Sequence, residues 1–426
     1  MPISPGFEAR LHPVLAQAAE EFGTPFHIYD EQGVHDTCTA FNAAFAHLDF
    51  QEFYAVKALP NPTVLALLAG HGFGFDCSSL PELALAAQAG ARGHQICFTS
   101  NNTSRAELAA ALELGAIVNI DDEAVLDKLP SVPDTLFFRL NPGQVRGEDD
   151  FLGSPQDAKF GVPTDRLVPV VAKAKALGVR DFGLHMMLAS NSLTPAPTLL
   201  TLDLLLEQAL RLREELGVEV SAVNLGGGIG IPYRPDERPF DLPALGEAIA
   251  RRLARWEHEH RATRPRVCFE SGRYVTGPHG ALATRVLNRM DKWRAYAGVD
   301  ASMSSLMRPA LYPSAYHHIT APFADRTHME TVDVVGSLCE NNDRFGKDRT
   351  LPRLTEGELL VIHDTGAHGH AMGFTYNGRL RPQELLLRTD GSVELIRRAE
   401  EERDHFATLD FKPKRLVPRG TSGAGE

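Results

Sequence analysis

The fold is decided by the stretch Phe53-Tyr54-Ala55-Val56-Lys57-Ala58-Leu59-Pro60, where an apolar, strand-like run ends in a lysine and a helical segment follows. The end of a buried strand is a poor place for a surface charge. Burial lowers the pKa of a lysine, and a neutral amine can form a Schiff base with an aldehyde. A lysine at a strand edge more often extends its ammonium group into water, so Lys57 becomes a candidate only in the context of the remaining chain.

Strands and helices continue to alternate from about residue 50 to residue 275. The helical segments carry Leu, Ala and Val at three- and four-residue spacing, and several of them end at a glycine. Eight strands separated by helices predict a parallel (β/α)8 barrel, which we assign to residues 30–275. The predicted strands are Glu52–Val56, Gly74–Cys77, Gln95–Thr99, Ala116–Ile120, Thr135–Leu140, Asp181–Met187, Glu219–Leu225 and Arg266–Glu270. The predicted helices include Pro81–Ala89, Arg105–Leu114, Asp165–Leu177, Thr198–Leu216 and Pro243–His260.

After residue 275 short strands alternate with turns rich in Pro, Gly and Asp, which predicts an all-β second domain. Its clearest strands are Ala281–Val286, Tyr296–Val299, Met329–Val335 and Glu358–His363. We assign residues 276–415 to this domain, together with residues 1–29, because Phe26–Tyr29 is also strand-like. Residues 416–426 resemble a protease-cleavable expression linker and are left out of the fold assignment.

The composition argues against several classes of protein. A length of 426 residues exceeds one ordinary core, and the 43% hydrophobic and 23% charged fractions are those of a globular protein. The net charge of −12 argues against nucleic-acid binding. No run approaches the roughly 18 apolar residues of a membrane span, and the first residues are not a signal peptide, so we expect a cytoplasmic protein. The five cysteines include no CxxC pair, which argues against a disulfide framework and against a metal site.

Polar and glycine residues lie at the predicted C-terminal ends of the barrel strands, where the active sites of (β/α)8 barrels form. They are Lys57, Asp76, Arg139, His185 with Ser190 and Asn191, Gly226–Gly228, Glu270 and Gly272-Arg273. Glycine turns after strands seven and eight favour a phosphate site, because their bare N–H groups can approach the ligand. Glu270 by itself could equally pair with a neighbouring arginine. A Schiff-base lysine, a phosphate turn and a carboxylate together predict a pyridoxal phosphate site, where the carboxylate keeps the pyridine nitrogen protonated.

These segments resemble the fold type III pyridoxal phosphate-dependent decarboxylases, the group with an alanine-racemase-like barrel, and most of all the diaminopimelate decarboxylases. The resemblance extends from about Phe26 to Arg398. In the first half it rests on Tyr54–Ala58, Phe75–Leu83, Lys159–Gly161 and Gly183–Ser190. In the second half it rests on Gly226–Gly228, Glu270–Arg273, Leu306–Tyr312, Tyr316–Ile319, Leu338–Asp343 and Asp364–Asn377.

The resemblance implies a cofactor, pyridoxal 5'-phosphate, and a role for each matching residue. Lys57 would hold the cofactor covalently, and Glu270 would face its pyridine nitrogen. The other implied cofactor contacts are Asp76, His185, Met187, Ser190, Gly227, Gly228, Gly272, Arg273 and Tyr376.

The resemblance also implies how the substrate is bound and how the chain assembles. Arginine suits the far amino-acid end of diaminopimelate, because its fork grips a carboxylate through two hydrogen bonds. The implied substrate contacts are Arg273, Arg308, Tyr312, Glu340 and Tyr376. Cys339 and Glu340 match a pair that reaches the active site of a partner subunit, with Cys339 as the proton donor. A homodimer with shared active sites is therefore implied.

Four departures from the family pattern indicate a divergent branch. The histidine that usually stacks on the cofactor is Met187, and the tyrosine expected after Gly366-Ala367 is His368. The usual Gly-Ser-Gln is Ala189-Ser190-Asn191, and the usual Glu-Ser-x-Asp is Glu340-Asn341-Asn342-Asp343. A thioether can pack against a π-face, but Met187 removes a titratable ring from beside the reacting atoms.

The leading functional prediction is decarboxylation of diaminopimelate to lysine, or of a similar amino acid with a second polar or charged end. Alternatives with the same fold are decarboxylation of D-ornithine or D-lysine, and decarboxylation of a siderophore precursor with an amino-acid terminus. An amino-acid racemase is disfavoured by the Cys339-Glu340 motif and the long β-domain. A non-catalytic pyridoxal phosphate carrier is disfavoured by the length of the chain, since such carriers are typically shorter.

Overall fold

The computed structural model describes residues 4–143, 155–409 and 412–416, so most of the predicted linker at residues 416–426 lies outside the described residues. Eight parallel strands form a closed barrel, in which the first strand pairs with the eighth, and the predicted (β/α)8 barrel is confirmed. In chain order the barrel strands are Phe50–Ala55, Gly74–Cys77, Ile96–Thr99, Ile117–Ile120, Thr135–Asn141, Asp181–His185, Val220–Asn224 and Arg266–Phe269. A short strand, Val162–Pro163, extends the sheet beside the fifth of them.

Helices pack around the barrel, and one of them comes from before the first strand. The helix Glu31–Phe45 packs against the helices Leu242–His260 and Pro62–Gly70. It is missing from the predicted elements, although its buried Val34, Cys38, Phe41 and Phe45 recur at helical spacing. The other helices of the barrel are Pro62–Gly70, Leu80–Gln88, Arg105–Glu113, Leu167–Leu177, Ala196–Leu216, Leu242–His260 and Arg273–Thr276.

The second sheet has nine strands, and the N-terminal strand Phe26–Asp30 lies within it. This strand pairs antiparallel with Gly280–Asp291 and parallel with Gln383–Leu387, so the prediction that it joins the second sheet is confirmed. The remaining strands are Ala295–Val299, Ile319–Thr320, Met329–Val335, Arg344–Pro352, Leu359–Ile362 and Val393–Arg397. The exact domain limits at residues 30 and 275 stay predictions.

The second domain is built on this sheet, as predicted, and a helix from the N-terminal residues covers one of its faces. The helix Pro5–Glu21 begins after Ser4, whose hydroxyl accepts a hydrogen bond from the Phe7 N–H at 3.1 Å. Its apolar side chains, such as Phe7, pack on Phe26 and Ile28 of the sheet. The shorter helices Arg308–Leu311 and Glu402–Phe406 also belong to this half of the chain. Within the described residues no helix is long and apolar enough to cross a membrane, and the cytoplasmic location stays a prediction.

A buried polar network ties the second sheet to the loop after the first barrel strand. The Glu384 carboxylate accepts hydrogen bonds from the Tyr29 hydroxyl at 2.6 Å and from the Asn61 amide at 3.1 Å, and it pairs with Arg397. Arg397 also donates to the Pro60 carbonyl oxygen at 2.9 Å. Since Pro60 and Asn61 follow Lys57 closely, this network fixes the loop that carries the lysine.

Candidate active site

The barrel interior has an apolar layer with a polar layer above it. The apolar layer is formed by Phe53, Cys97, Ile117, Phe137, Ala222 and Cys268. Successive side chains of a strand point to opposite faces, so the residues two positions further along face the same interior. At the mouth of the barrel these positions include Asn119, Arg139, Asn224 and Glu270. The strand period therefore places a set of polar groups above the apolar layer, where (β/α)8 active sites form.

Lys57 lies at the mouth of the barrel, in the turn Val56–Ala58 after the first strand. Its side chain is 54% exposed, and Nζ is 3.4 Å from Asp76 Oδ2 at the end of the second strand. The Asp76 carboxylate raises the pKa of Lys57, which outweighs the lowering effect of burial. The sequence-based expectation of a lowered pKa is therefore wrong for this lysine, because that expectation considered burial without the neighbouring acid.

Asp76 is a buried carboxyl group with an incomplete set of partners. Burial, with the nearby Glu270 carboxylate, raises the pKa of Asp76 to about 7, although Lys57 acts in the opposite direction. Its second oxygen, Oδ1, is buried and makes no hydrogen bond among the described residues. The mouth of the barrel therefore holds an acid that can exchange a proton near neutral pH.

Glu270 is held as a carboxylate by polar groups from neighbouring strands. Its Oε1 accepts a hydrogen bond from the Asn224 amide at 2.8 Å, and its Oε2 lies 3.4 Å from His185 Nε2. The other ring nitrogen of His185 is 2.9 Å from the Asn119 amide. Burial alone would raise the pKa of Glu270, but His185 and Lys57 outweigh it and lower the pKa to about 2. A carboxylate that stays ionised is the group needed beside a protonated pyridine nitrogen.

The glycine turn after the seventh strand packs closely against the neighbouring loops. A Cβ atom on Gly227 would lie 2.6 Å from the Glu270 carbonyl oxygen, and one on Gly228 would collide with the Ala189 carbonyl oxygen. Gly228 also has φ +93°, a conformation that L side chains rarely adopt. The turn therefore presents bare backbone at the predicted phosphate site.

The structure brings the loop of Ser190 and Met187 to this turn and places Gly272 beside Lys57. The loop that carries Ser190 pairs with the turn through the Ser192 N–H and the Gly228 carbonyl oxygen, at 2.9 Å. Met187 lies against Gly226, where an added Cβ would be 2.8 Å from the Met187 Cβ. Gly272 lies against Ala58, beside Lys57.

The predicted Arg273 and Arg308 meet around a tyrosine that sequence analysis missed. The Arg273 guanidinium donates to the Tyr233 hydroxyl at 2.6 Å, and the Arg308 guanidinium carbon is 4.6 Å from the centre of the Tyr233 ring. Arg308 is only 1% exposed, and its second partner is the ring of His317, at 3.1 Å. Tyr312 follows on the same short helix and donates its N–H to the Arg308 carbonyl oxygen at 3.0 Å. We call Arg273, Arg308, Tyr233 and His317 the arginine cluster.

Among the described residues, the arginine cluster has no acidic partner. Within the described residues neither Arg273 nor Arg308 takes part in an ion pair, and Arg308 Nε is buried without a hydrogen-bond partner. Burial, and then Arg308, lower the pKa of His317 well below its usual value, so this ring is neutral and supplies no charge. A buried, unpaired guanidinium is costly, so the cluster is suited to an anionic ligand.

His368 is a second site residue beyond those predicted. Its N–H donates to the Ala58 carbonyl oxygen at 2.8 Å, which places it beside the turn of Lys57. Its pKa is lowered well below the usual value by burial and by Arg273, Arg308 and Lys57. The signal in the sequence was the departure at this position, a histidine where the resemblance leads to a tyrosine.

Cys339, Glu340 and Tyr376 lie together in the second domain. The Cys339 N–H donates to the Asn377 side-chain oxygen at 2.9 Å, and Tyr376 is 53% exposed. Cys339 is exposed, whereas the four other cysteines are buried. The described contact joins Cys339 to Asn377, the residue after Tyr376, and the predicted contact of Tyr376 to the cofactor stays a prediction.

The residues at the mouth of the barrel fit pyridoxal phosphate. Lys57 supplies the amine, the turn Gly226–Gly228 supplies bare N–H groups, and the ionised Glu270 supplies a partner for a ring nitrogen. Within the described residues, no group of three or more potential ligands is placed to hold a metal ion. The amine of Lys57, the glycine turn and the ionised Glu270 together favour an organic cofactor attached to Lys57.

Comparison with known proteins gives the same answer. Residues 31–277 match the model of the pyridoxal-dependent decarboxylases, pyridoxal binding domain. The chain is 48% identical over 413 residues to Protein TabA of Pseudomonas amygdali pv. tabaci, with 97% of both chains covered. It is 35% identical to the diaminopimelate decarboxylase of Methanothermobacter thermautotrophicus, with 95% of both covered. The crystal structure of the M. jannaschii diaminopimelate decarboxylase with L-lysine matches with a TM-score of 0.87 and 28% identity, covering 94% of both chains.

Proposed function

The chain belongs to the pyridoxal-dependent decarboxylases, and from this premise we propose that it decarboxylates an amino acid whose far end carries a carboxylate. Pyridoxal phosphate, its cofactor, supplies when bound an electron-accepting ring for the electron pair that carbon dioxide leaves behind. Diaminopimelate is the substrate that best fits this description, since each of its ends is an amino acid. The enzyme is accordingly a carboxy-lyase.

Each side chain at the mouth has a distinct task in this proposal. Lys57 would hold the cofactor through its side-chain amine. Glu270 keeps a proton on the ring nitrogen, since its lowered pKa leaves the carboxylate ionised near neutral pH. The bare backbone of Gly227 and Gly228 binds the phosphate, with Ser190 and Gly272 beside it.

The observation that carries the substrate class is the arginine cluster without an acid. Arg308 is 1% exposed and its described partners are the neutral side chains of His317 and Tyr233. A carboxylate at the far end of the substrate would neutralise Arg308 and Arg273 together, through the paired hydrogen bonds that guanidinium groups form. D-Lysine and D-ornithine lack this carboxylate, so the cluster disfavours them.

A second candidate keeps the reaction and changes the substrate. The chain is 48% identical to Protein TabA but 35% identical to the archaeal diaminopimelate decarboxylase. Met187 and His368, which depart from the family pattern, both lie at the mouth of the barrel. These facts favour a larger amino-acid-terminated molecule, such as a siderophore precursor, whose other end still bears a carboxylate.

Carbon dioxide release from a panel of amino acids tests the proposal. The panel pairs diaminopimelate with D-lysine, which lacks one carboxylate, and adds D-ornithine and diaminopimelate acylated on its far amine. We expect carbon dioxide release from diaminopimelate, from its acylated form or from both, and far less from D-lysine and D-ornithine. Faster release from D-lysine or D-ornithine would contradict the assignment of the arginine cluster, and the Lys57→Ala protein provides the blank.

We propose further that the enzyme is a two-fold homodimer in which Cys339 and Glu340 act in the partner's site. The support is the exposed Cys339 in the second domain and the family resemblance of its segment. When Lys57→Ala and Cys339→Ala proteins exchange subunits, each mixed dimer should contain one intact site. Random equal pairing then restores about a quarter of wild-type activity, because half the dimers are mixed and each has one good site.

A matched mixture serves as the control for this experiment. Lys57 and Glu270 lie in the same barrel, so Lys57→Ala mixed with Glu270→Gln leaves no intact site and should restore nothing. If activity returned in both mixtures, or in neither mixture despite proven subunit exchange, Cys339 would lie outside the partner's site.

A further inference from the structure

A second cationic site lies behind the segment that carries Arg308. It is a cavity of about 710 Å³ between the short helix Arg308–Leu311 and the strand Arg344–Pro352. Its polar lining includes Arg234, Tyr316, Arg344, Lys347 and Arg349. None of the residues that line it is an aspartate or a glutamate. We call it the rear cavity.

The positive charges of the rear cavity are largely unpaired. The guanidinium carbons of Arg234 and Arg349 lie 4.7 Å and 3.8 Å from the centre of the Tyr316 ring. Arg344 is 3.4 Å from Asp333, but the other three cations join no ion pair of the described residues. Arg349 Nε is buried and has no hydrogen-bond partner there. The chain has 55 acidic and 43 basic residues, yet three of these four cations have no acidic partner among the described residues. The cavity therefore keeps a positive charge that a ligand can neutralise.

The rear cavity is separate from the arginine cluster, although the same segments build both. Tyr233 faces the cluster, and the next residue, Arg234, lines the cavity. His317 contacts Arg308, and the preceding residue, Tyr316, lines the cavity. Neighbouring residues of one segment thus belong to two different sites, and neither Arg273 nor Arg308 lines the rear cavity.

We propose that the rear cavity binds a small anion with two or more carboxylate or phosphate groups. Guanidinium groups suit such ligands because they offer paired donors in a plane, and Arg234 and Arg349 are already oriented by stacking on Tyr316. Burial and the neighbouring Arg234 lower the pKa of Arg349, which indicates a repulsion that an anion would relieve. The volume lies within the range of small-ligand pockets, roughly 300 to 1,000 Å³.

Calorimetric titration of citrate and of pyrophosphate into the holoenzyme tests this proposal. The cofactor is first fixed to Lys57 with borohydride, so that neither anion can displace it from the phosphate turn. Acetate at matched ionic strength is the monovalent control. We expect saturable binding of at least one multivalent anion, with the carboxylate and phosphate arms showing which group is preferred, and little heat from acetate.

Four variants locate the bound anion. Arg349→Gln should weaken binding about tenfold or more, as expected for loss of a charged hydrogen bond. Lys347→Gln, at an exposed position that the fold tolerates, should weaken it several-fold. Arg353→Gln, an exposed arginine outside the cavity lining, should leave binding unchanged. Arg308→Gln removes any binding at the arginine cluster and should leave the binding event that Arg349→Gln weakens. No saturable binding of either anion, or binding that Arg308→Gln abolishes while Lys347→Gln and Arg349→Gln retain it, would overturn the proposal.

Discussion

The two sides of the barrel mouth differ in how their charged side chains are neutralised. On the acidic side, Lys57 lies between carboxylates, with Asp76 at 3.4 Å, and Glu270 is held by Asn224 and His185. On the arginine side, Arg308 is buried, as Glu270 is, but its described partners are neutral. One side supplies its own counter-charges, and the other depends on a ligand to supply them.

This difference assigns the reaction to the acidic side and the choice of substrate to the arginine side. The charged groups of the acidic side find their partners within the protein, so a change there should affect every substrate alike. The arginine side stores an unpaired cation, which a ligand with a second carboxylate would neutralise. A change there should affect affinity for such ligands and should also relieve a cost in the free protein.

The largest effect is expected from Lys57→Ala. Without the amine the cofactor cannot be held covalently, and turnover should fall by about four orders of magnitude or more. Carbon dioxide release, together with mass spectrometry after borohydride reduction, measures the loss of both activity and label. The control is Lys173→Ala, which removes a lysine that pairs with Asp127 on the surface. This variant should keep both the activity and the label on Lys57. A label on another lysine in the wild-type protein would contradict the assignment.

Glu270→Gln should reduce turnover by about two to three orders of magnitude, in the range seen when a preorganised charge is removed. The amide keeps the shape and can still accept a hydrogen bond from Asn224, but it cannot hold a proton on the ring nitrogen. The melting temperature of the protein should change little by comparison. Near-normal turnover would show that the carboxylate has only a structural task.

The residues of the acidic side could be predicted from sequence because each depends on local order along the chain. Asp76, His185 and Glu270 end strands, and a barrel brings the ends of its strands together. The direction of the Lys57 pKa shift could not be predicted in the same way, since it depends on the distance between two side chains that are 19 positions apart.

The arginine side was only partly predictable. Arg273 and Arg308 were expected from the family resemblance, but Tyr233, which joins them, lies in a loop without a pattern of its own. His368 is brought to Lys57 by a backbone hydrogen bond to Ala58, which spans the two domains. Contacts of this kind depend on how the second sheet packs on the barrel, and neither helical nor strand periodicity encodes that packing.

Arg308→Gln separates the two sides most directly. The Michaelis constant for a substrate with a second carboxylate should rise about 10- to 100-fold, the effect of losing a charged hydrogen bond, while kcat changes less. The free protein should be as stable as wild type or more so, because a buried and unpaired charge has been removed. Steady-state kinetics and thermal unfolding measure the two effects, with Arg353→Gln as the exposed control. A large fall in both kcat and stability would mean that Arg308 supports the fold.

The smallest expected effect concerns the proton on Lys57, and it is tested by Asp76→Asn. The Asp76 carboxylate raises the pKa of Lys57, and burial of the lysine acts in the opposite direction, so an uncharged amide should lower that pKa. Capture of the cofactor requires the neutral amine of Lys57. At a pH below the pKa of this lysine, each unit by which the pKa falls makes the neutral amine about tenfold more abundant. Because the pKa of Asp76 is about 7, the variant should bind pyridoxal phosphate several-fold faster above that pH. The two proteins should converge below it, where the wild-type carboxyl is protonated, and again at high pH, where both amines are neutral. Absorbance during reconstitution at pH 6 to 10 measures this, with Lys57→Ala as the blank. A profile that keeps its midpoint while capture slows at every pH would show that Asp76 orients the amine and does not control its charge.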